Sequence, residues 1–255
     1  MRAGRLEGLI ALATGGASGF GRGIAEAFAR EGAAVMVADL DGEGAKAVAA
    51  AIGESGGRAA SVQADIADEA SMAAAVAATE AAFGGLSTLV ANAGIGQRPM
   101  RASETPLAEM ERQFAVNALG AAISCQAALP ALRRRGADAS IVMTVSGIAL
   151  TPRPAFCAYG MAKSAAAYLM KSLALDLAPE GIRVNGLFPA IAATGMFGEF
   201  ADGDVGKADE FAAALPLGRL VTAEDVAAAA VYLASPVEAG AVTGCALPVD
   251  AGRTI

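Results

Sequence analysis

Short apolar runs alternate with longer alanine-rich stretches along the whole chain. The short runs are continuously apolar, which is typical of strands buried on both faces of a parallel sheet. We predict seven strands, at Leu9–Ala13, Ala34–Ala38, Arg58–Gln63, Leu86–Ala91, Ser140–Val145, Arg183–Phe188 and Ala246–Val249. The stretches between them have a helical period and predict helices at about Gly19–Glu31, Gly42–Glu54, Asp68–Phe83, Leu107–Arg135, Ala155–Ala178 and Ala223–Ala234. This alternation indicates an α/β fold, with a parallel sheet covered by helices on both faces.

No repeat, low-complexity linker or change in composition divides the 255 residues, so we predict a single domain over 1–255. The one long irregular stretch runs from Ala190 to Leu217 and is rich in glycine and small residues. Loops of this length in compact domains often serve as active-site lids, and we predict a substrate lid at about 190–217. The alternative is an ordinary surface insertion that contains a short helix.

One segment is long enough to span a bilayer, because the twenty residues from Gln113 to Leu132 carry no charge. Polar residues and a proline interrupt it, at Gln113, Asn117, Ser124, Gln126 and Pro130. A buried helix is therefore the better interpretation, and no membrane is implied. A helix that is apolar on most faces needs cover, which a second subunit can supply.

The composition limits the possible partners. With 55% hydrophobic and 18% charged residues, the chain can bury a large core. The net charge of −7 argues against nucleic acid or an anionic membrane surface as the main partner. The only basic cluster, Arg133–Arg135, lies at a predicted helix end, where it complements the helix dipole.

Three cysteines, Cys125, Cys157 and Cys245, are far apart and odd in number. They match no zinc or disulfide spacing, so we expect no metal site. We expect free thiols in a reducing compartment, the cytoplasm.

The apolar run at the N-terminus leads directly into a glycine turn, which indicates a first strand rather than a signal peptide.

A glycine-rich turn follows the first predicted strand. Its sequence, Thr14-Gly15-Gly16-Ala17-Ser18-Gly19-Phe20-Gly21, has the spacing G-x-x-x-G-x-G and leads into a helix. Glycine at such a turn lets the backbone approach a pyrophosphate, and the N–H groups at the helix start can bind the phosphates. The turn predicts a nucleotide site, with a merely flexible turn as the alternative.

Asp39 ends the second predicted strand, eighteen residues after Gly21. An acid at this position can accept hydrogen bonds from a ribose diol, and it repels a 2′-phosphate. The glycine turn contains no basic residue, and the nearest, Arg22, falls in the first turn of the helix. We therefore predict NAD(H) rather than NADP(H) as the cofactor. The alternative is that Asp39 only caps the helix that begins near Gly42.

Tyr159 and Lys163 are the candidate catalytic pair. The chain has no histidine, so the commonest acid/base side chain is absent. At i and i+4 on a predicted helix, the phenol and the ammonium can face one cleft, and the ammonium should lower the pKa of the phenol. Ser146 lies thirteen residues before Tyr159 and can bind the same substrate oxygen. A second pair, Tyr168 and Lys171, points away from this cleft on the same helix, and we interpret it as structural.

These motifs occur together in one family. From Leu9 to its C-terminus, the chain resembles the short-chain dehydrogenases/reductases in the order and spacing of its motifs. The matching residues are Thr14-Gly-x-x-x-Gly-x-Gly21, Asp65, Asn92-Ala93-Gly94, Asn117, Ser146, Tyr159-x-x-x-Lys163 and Arg183-Val-Asn185 leading to Pro189. Two positions depart from the usual pattern. Ala190 stands where many members have glycine, and Val145 precedes Ser146 where a second serine is frequent.

The resemblance implies a Rossmann-type, doubly wound sheet with the strand order 3-2-1-4-5-6-7. It also implies a homotetramer with interfaces at Leu107–Arg135 and Ala155–Ala178. The implied catalytic tetrad is Asn117, Ser146, Tyr159 and Lys163. In this tetrad the tyrosine transfers a proton, the serine holds the substrate oxygen, the lysine also binds the nicotinamide ribose, and the asparagine anchors a water.

Together with the glycine turn and Asp39, the resemblance implies a set of contacts to the nicotinamide cofactor. The set is Gly15, Ser18, Gly19, Phe20, Gly21, Asp39, Leu40, Asp65, Ile66, Asn92, Ala93, Gly94, Tyr159, Lys163, Pro189 and Thr194. Within it, Asp65 and Ile66 are expected at the adenine, and Thr194 at the nicotinamide carboxamide.

The residues expected beside a small-molecule substrate are mostly apolar. The candidates are Gln97, Ile148, Phe156 and Met196. They suggest a moderately hydrophobic secondary alcohol or ketone. Arg98 and Arg153 could pair with a substrate carboxylate, or they are ordinary solvated arginines.

We predict an oxidoreductase that transfers a hydride between NAD(H) and such an alcohol or ketone, with Tyr159 as acid/base. One alternative is a 3-oxoacyl-thioester reductase whose acidic carrier protein docks on Arg133–Arg135. Asp39 disfavours it, because such reductases mostly resemble NADPH users. An alternative of another class is a non-catalytic nucleotide-binding sensor or scaffold, which would have no need of Ser146, Tyr159 and Lys163 together.

Overall fold

The computed structural model describes residues 4–192, 200 and 204–255. In this part of the chain, seven parallel strands form one sheet in the order β3-β2-β1-β4-β5-β6-β7. The strands are β1 Ile10–Thr14, β2 Ala34–Asp39, β3 Arg58–Gln63, β4 Thr88–Ala91, β5 Ser140–Thr144, β6 Arg183–Pro189 and β7 Ala246–Val249. The predicted strands and the implied strand order are confirmed, with ends that differ by at most two residues.

Helices cover both faces of the sheet. They are α1 Gly19–Arg30, α2 Gly42–Glu54, α3 Glu69–Phe83, α4 Leu107–Phe114, α5 Ala121–Arg135, α6 Cys157–Leu177, α7 Ala208–Ala213 and α8 Ala223–Ala234. Side chains of α1, α2 and α8 pack with Ala11 and Ala13 of β1, whereas those of α3, α5 and α6 pack with Leu12. Because successive residues of a strand point to opposite faces, the sheet is doubly wound, as predicted.

The predicted helix Leu107–Arg135 is continuous but not regular. Residues Ala115–Gly120, between α4 and α5, form a π-helical segment. Asn117 lies in this wide turn, and its side chain bonds to the backbone of Ile95 in the loop after β4. Such turns are rare and often lie at functional sites, and the periodicity of the sequence does not indicate one here.

Among the described residues, one helix, 107–138, is long and apolar enough to cross a membrane by length and composition alone. Within the chain, 44% of its most apolar stretch is buried. Phe114 and Leu119 lie on its outer side and are 40% and 52% exposed. The helix is therefore buried on one side only, and its other side presents apolar side chains at the surface of the chain.

Only part of the predicted lid falls within the described residues. Its short helix, α7, is the element that the alternative interpretation expects. Thr194 and Met196 lie outside the described residues, so the structure does not bear on their predicted contacts to the carboxamide and the substrate.

The Arg133–Arg135 cluster forms the last turn of α5, where the sequence predicts it. Each of the three guanidinium groups has a carboxylate of the same chain within 4.0 Å. The pairs are Arg133–Glu180 at 2.7 Å, Arg134–Glu80 at 2.6 Å and Arg135–Asp138 at 3.6 Å. The cluster is thus largely neutralised within the chain.

Gly21, in the first turn of α1, packs directly against the turn that follows β1. A Cβ at Gly21 would lie 2.0 Å from the carbonyl oxygen of Gly15 and 2.5 Å from Nδ2 of Asn92. The helix therefore approaches the turn more closely than any side chain permits. Gly53, near the end of α2, differs because nothing lies within 4 Å of an added Cβ.

Gly21→Ala should lower the free energy of unfolding by about 1–3 kcal/mol, because its methyl group overpacks a site formed by backbone atoms. Gly53→Ala is the matched control. It should leave this free energy unchanged or raise it by up to about 1 kcal/mol, since alanine favours the helix. Equilibrium unfolding in urea measures both values. Equal stability of the two variants would contradict the close packing at Gly21.

Candidate active site

A cleft of about 720 Å³ runs along the carboxyl ends of the strands. In a parallel sheet these ends share one edge, which is where such folds bind their ligands. Most of the predicted site residues line it: Gly15, Ser18, Gly19, Phe20, Asp39, Leu40, Asp65, Ile66, Asn92, Ala93, Gly94, Ser146, Ile148, Phe156, Tyr159, Lys163 and Pro189. The structure therefore brings them together in one cleft, although what each binds stays a prediction.

The glycine turn forms one wall of the cleft. Ser18 is the N-cap of α1, but its side chain makes no capping hydrogen bond. Ser18, Gly19 and Phe20 line the cleft, so the first N–H groups of α1, which lack partners within the helix, lie beside it. Gly21 was predicted to contact the cofactor, and that contact stays a prediction. It faces Gly15 and lies outside the cleft wall, where its role is to allow close packing.

Thr14 and Asn92 join the carboxyl ends of β1 and β4. The buried hydroxyl of Thr14 accepts hydrogen bonds from the backbone N–H groups of Asn92, at 3.0 Å, and Ala93, at 3.1 Å. The side-chain amide of Asn92 donates to the carbonyls of Thr14, at 3.0 Å, and Gly15, at 3.3 Å. These bonds hold the glycine turn against the loop after β4.

Asp39 holds the glycine turn from the other side. Its Oδ2 accepts a hydrogen bond from the N–H of Ala17 at 2.9 Å, and its Oδ1 accepts from the N–H of Asp41 at 3.0 Å. The alternative that Asp39 caps α2 is wrong, because Asp41 is the N-cap and accepts from the N–H of Gly44. A carboxylate has about four lone-pair sites, so Asp39 retains acceptor capacity toward the cleft.

The residues present fit a dinucleotide cofactor. The uncapped start of α1 offers N–H donors and a positive dipole end to phosphates, and Asp39 offers acceptors to a ribose. Thr144, at the end of β5, also lines the cleft, and its buried Oγ1 has no hydrogen-bond partner among the described residues. A buried hydroxyl without a partner is unusual and is consistent with a ligand group that completes it.

Tyr159 and Lys163 lie on the first turns of α6, and both are buried, at 7% and 5% exposure. The hydroxyl of Tyr159 is hydrogen-bonded to that of Ser146. The ammonium of Lys163 lies 5.8 Å from the centre of the Tyr159 ring and donates to the carbonyl of Thr144 at 3.1 Å. The predicted pair and its serine therefore form one cluster in the cleft.

Burial dominates the protonation of this cluster. It raises the pKa of Tyr159 to about 12, against a smaller lowering by the bond to Ser146. It also lowers the pKa of Lys163 to about 8. Desolvation disfavours the charged form of each group, and the lowering of the tyrosine pKa that we expected from Lys163 is not among its causes.

Asn117 is buried beneath the cleft, outside its wall. Its side-chain amide donates to the carbonyl of Ile95 at 2.9 Å and to Oε1 of Gln113 at 2.7 Å, and its oxygen accepts from the N–H of Ile95 at 3.1 Å. A Cβ at Gly94 would lie 2.5 Å from this oxygen and 3.4 Å from Nζ of Lys163. Asn117 and Lys163 thus approach Gly94 at a point where a side chain would collide with the Asn117 oxygen, and the water expected at Asn117 stays a prediction.

Gln97 was predicted to contact the substrate, and this is wrong. It is 2% exposed and lies outside the cleft wall. Its Oε1 accepts a hydrogen bond from the backbone N–H of Tyr159 at 2.8 Å. The N-cap residue of α6, Phe156, makes no capping hydrogen bond through its side chain. Gln97, in the loop after β4, therefore accepts one of the backbone N–H groups that have no partner within the first turn of the helix.

The other end of the cleft is apolar. Ile148 and Phe156 line it, as predicted, and so do Phe200 and Phe211 from the segment that follows β6. The ring centres of Tyr159 and Phe200 are 5.3 Å apart in an edge-to-face arrangement. Sequence reasoning placed Phe200 and Phe211 in the irregular segment, but no periodicity marks which of its residues face the cleft.

Two arginines also lie at this end. Arg153 lines the cleft, whereas Arg98 is exposed and lies outside its wall. Arg253, in the turn after β7, lines the cleft as well and was missed. It is 94 residues after Tyr159, and only the position of β7 beside β6 brings it here.

Tyr168, of the second tyrosine–lysine pair, is 77% exposed on the outer side of α6, as predicted.

Comparison with known proteins agrees with this site. A family model described as enoyl-(acyl carrier protein) reductase matches residues 15–254. The chain is 38% identical to 4-formylbenzenesulfonate dehydrogenase of Comamonas testosteroni, over 96% of this chain and 98% of that protein. It is 36% identical to D-threitol dehydrogenase of Mycolicibacterium smegmatis, over 98% of this chain and 95% of that protein.

A solved structure is equally similar. The crystal structure of 3-ketoacyl-(acyl-carrier-protein) reductase from Brucella melitensis complexed with NADH has a TM-score of 0.90 and 39% sequence identity. The match covers 98% of this chain and all of that chain. With the strand order and the Ser146, Tyr159 and Lys163 cluster, these matches show that the chain belongs to the short-chain dehydrogenase/reductase family, nicotinamide-dependent oxidoreductases that act on CH–OH groups.

Proposed function

We propose that this protein interconverts a moderately hydrophobic secondary alcohol and its ketone with NAD(H) as cofactor. The observation that carries the proposal is the buried Tyr159 hydroxyl, bonded to Ser146 at the floor of an apolar pocket and close to Lys163. A phenol in this place can exchange a proton with a substrate oxygen.

The nicotinamide, when bound, accepts or supplies the hydride. Tyr159 is protonated at neutral pH, since its pKa is about 12, and it is ready to donate a proton to a ketone oxygen. Ser146 donates a hydrogen bond to the same oxygen and holds it in place. In the direction of oxidation Tyr159 must give up its proton, and the ammonium of Lys163 stabilises the phenolate that forms. Lys163 and Asn117 both lie close to Gly94, and a water held by Asn117 would pass the proton on toward solvent.

The preference for NAD(H) is supported by Asp39. Its carboxylate lies in the cleft wall, next to the N–H of Ala17 in the glycine turn. A 2′-phosphate at this position would meet a like charge in a partly buried place, which is unfavourable. The similar structure from Brucella melitensis contains NADH, which is consistent with this preference.

The substrate class is supported by the apolar end of the cleft, where Ile148, Phe156 and Phe200 lie around Tyr159. The names of the two similar dehydrogenases do not narrow the substrate class further. One is named for an aldehyde that carries a sulfonate, and the other for an uncharged polyol.

A second candidate is a 3-oxoacyl-thioester reductase, which the name of the Brucella melitensis protein favours. The Arg133–Arg135 cluster gives this candidate little support, because each arginine is paired with a carboxylate of its own chain. Asp39 also opposes it if such a reductase uses NADPH. A non-catalytic sensor has no use for the Ser146–Tyr159 bond.

A homotetramer in the cytoplasm completes the proposal. Met161, Tyr168 and Leu175 recur every seven residues on α6 and are 56%, 77% and 78% exposed. This spacing places them in one stripe along the helix, which a second copy can cover. The three cysteines are free, which suits a reducing compartment.

Tyr159→Phe should reduce kcat by about 10²–10⁴-fold, because it removes the acid/base group and leaves the ring in place. NADH binding, measured by fluorescence titration, should stay nearly unchanged. Tyr168→Phe is the control, since it removes the same hydroxyl from the exposed tyrosine of the same helix and should leave kcat unaltered. Turnover of Tyr159→Phe at the wild-type rate would refute the assignment.

Asp39→Asn should lower the ratio of kcat/KM for NADH to kcat/KM for NADPH by at least about tenfold, or about 1.4 kcal/mol. The amide keeps an acceptor for the N–H of Ala17 and removes the charge that repels a phosphate. Asp41→Asn removes a neighbouring charge while keeping a helix cap, so it should leave the ratio unchanged. A wild-type enzyme that uses both cofactors equally would contradict the role of Asp39.

Tyr168→Glu should convert the tetramer into smaller species, because it places a charge in the middle of the apolar stripe. Sedimentation equilibrium of the wild type should give four times the chain mass. Val237→Glu is the control, since Val237 is 90% exposed but lies outside α6. A wild type that sediments as a stable monomer would overturn the assembly.

A further inference from the structure

Two guanidinium groups line the substrate end of the cleft, and the mechanism uses neither. Arg153 lies in the loop between β5 and α6, and Arg253 lies in the turn after β7. The guanidinium carbon of Arg153 is 4.6 Å from the centre of the Phe156 ring and 4.9 Å from that of Phe211. Two aromatic rings thus flank the group, and a guanidinium bound by rings can still donate from its N–H groups to a planar anion.

Neither arginine has a carboxylate partner among the described residues, 4–192, 200 and 204–255. Arg253 makes one weak hydrogen bond, at 3.5 Å, to the carbonyl of Thr151. Asp250 lies three residues before it, but this carboxylate accepts from the N–H of Gly252 and from Thr254. Among the residues that the structure describes, the two cations therefore face the cleft without a compensating carboxylate, in a chain whose net charge is −7.

The two arginines also act on each other. Burial lowers the pKa of Arg153, and the like charge of Arg253 lowers it further. Two cations held close together in a partly buried place raise the free energy of the protein, and a bound anion would remove this cost. A purely structural role would account for the stacking of Arg153 on two rings, but not for a second cation placed beside it.

The cofactor phosphates do not account for this pair. The phosphates are expected at the start of α1, directly after β1, whereas Arg153 follows β5 and Arg253 follows β7. In the sheet, β7 is four strands away from β1. At about 4.8 Å between neighbouring strands, this separation is about 19 Å. Arg153 instead shares an apolar neighbourhood with Tyr159, through Phe156 and Phe200, and Arg253 lines the same cleft.

We propose that Arg153 and Arg253 form a subsite for a compact oxyanion, a carboxylate or a sulfonate, on the substrate. This rests on the proposed function, since it places the alcohol or ketone carbon at Tyr159. Aromatic contacts run from Tyr159 through Phe200 and Phe156 to Arg153, so apolar rings lie between the reacting carbon and the anion. The substrate class is then an acidic secondary alcohol or ketone, rather than a neutral one.

The experiment compares a charged ketone with its neutral counterpart. 4-Acetylbenzoate and methyl 4-acetylbenzoate are each reduced with NADH by the wild type and by Arg153→Met, Arg153→Lys and Arg253→Met. Arg98→Met is the matched control, because it removes the same charge from an exposed arginine outside the cleft wall. The quantity measured is the ratio of kcat/KM for the acid to kcat/KM for the ester.

We expect Arg153→Met to lower this ratio by about 10- to 100-fold, as is usual for the loss of a charged hydrogen bond. Arg253→Met should lower it in the same direction, and Arg153→Lys should lower it less than Arg153→Met. Unchanged reduction of the ester shows that the variants are folded. A ratio that is the same in Arg153→Met as in the wild type, or that falls equally in Arg98→Met, would overturn the subsite while leaving the reductase activity standing.

A binding measurement decides the case in which neither ketone is reduced. Isothermal titration with 4-acetylbenzoate, in the presence of NADH, tests the subsite without turnover. Binding by the wild type that is lost in Arg153→Met would support the subsite even though the proposed reaction fails on these ketones. No binding by the wild type, or equal binding by Arg153→Met, would overturn it.

Discussion

The burial of two ionisable side chains, Tyr159 and Lys163, is the constraint on which the rest of the site depends. Both lie one turn apart on α6 and are less than a tenth exposed. Burial works against a charge on either group, so neighbouring groups must stabilise whichever charged form the reaction needs. The hydroxyl of Ser146 does this for the tyrosine, and the carbonyl of Thr144 does so for the lysine. Both partners come from the carboxyl end of β5.

The start of α6 must therefore stay fixed relative to β5, and a distant loop helps to hold it. Gln97, in the loop after β4, accepts the N–H of Tyr159 itself. Its amide also lies 3.5 Å from the carbonyl of Ala155, whose backbone is left-handed, with φ of 68°. A non-glycine residue in this conformation is uncommon and is tolerated where the surroundings fix it. The same loop is tied to the π-helical turn through Asn117, so β4, β5 and α6 form one unit around the phenol.

Much of this arrangement could be predicted from the sequence, because it follows from patterns of neighbouring residues. Apolar runs mark the strands, and the four-residue spacing of Tyr159 and Lys163 puts them on one side of a helix. Asp39 could be placed at the cleft because the tip of the second strand lies at the carboxyl edge of the sheet. Gln97 was misplaced for the opposite reason. A polar residue in a loop next to a predicted pocket looks like a substrate contact, and only tertiary structure shows that it caps a helix 62 residues away.

The protonation of Tyr159 and the position of Arg253 could not be predicted for a similar reason. Spacing alone suggested that Lys163 lowers the pKa of the phenol, but spacing does not report burial, which raises it to about 12. Arg253 reaches the cleft only because β7 pairs with β6 at the edge of the sheet. Both effects depend on contacts between distant parts of the chain, which a pattern of single residues does not record.

The two ends of the cleft carry charges of opposite sign. At one end lies the carboxylate of Asp39, and at the other Arg153 and Arg253 face the pocket without carboxylate partners among the described residues. The protein as a whole is negative, so its distant field repels anions and does not by itself draw an acidic substrate in. Screening confines the field of surface charges to about 8–10 Å at physiological salt. The two cations in the cleft can therefore act locally, on a ligand that has already entered, and they orient its acidic end away from Tyr159.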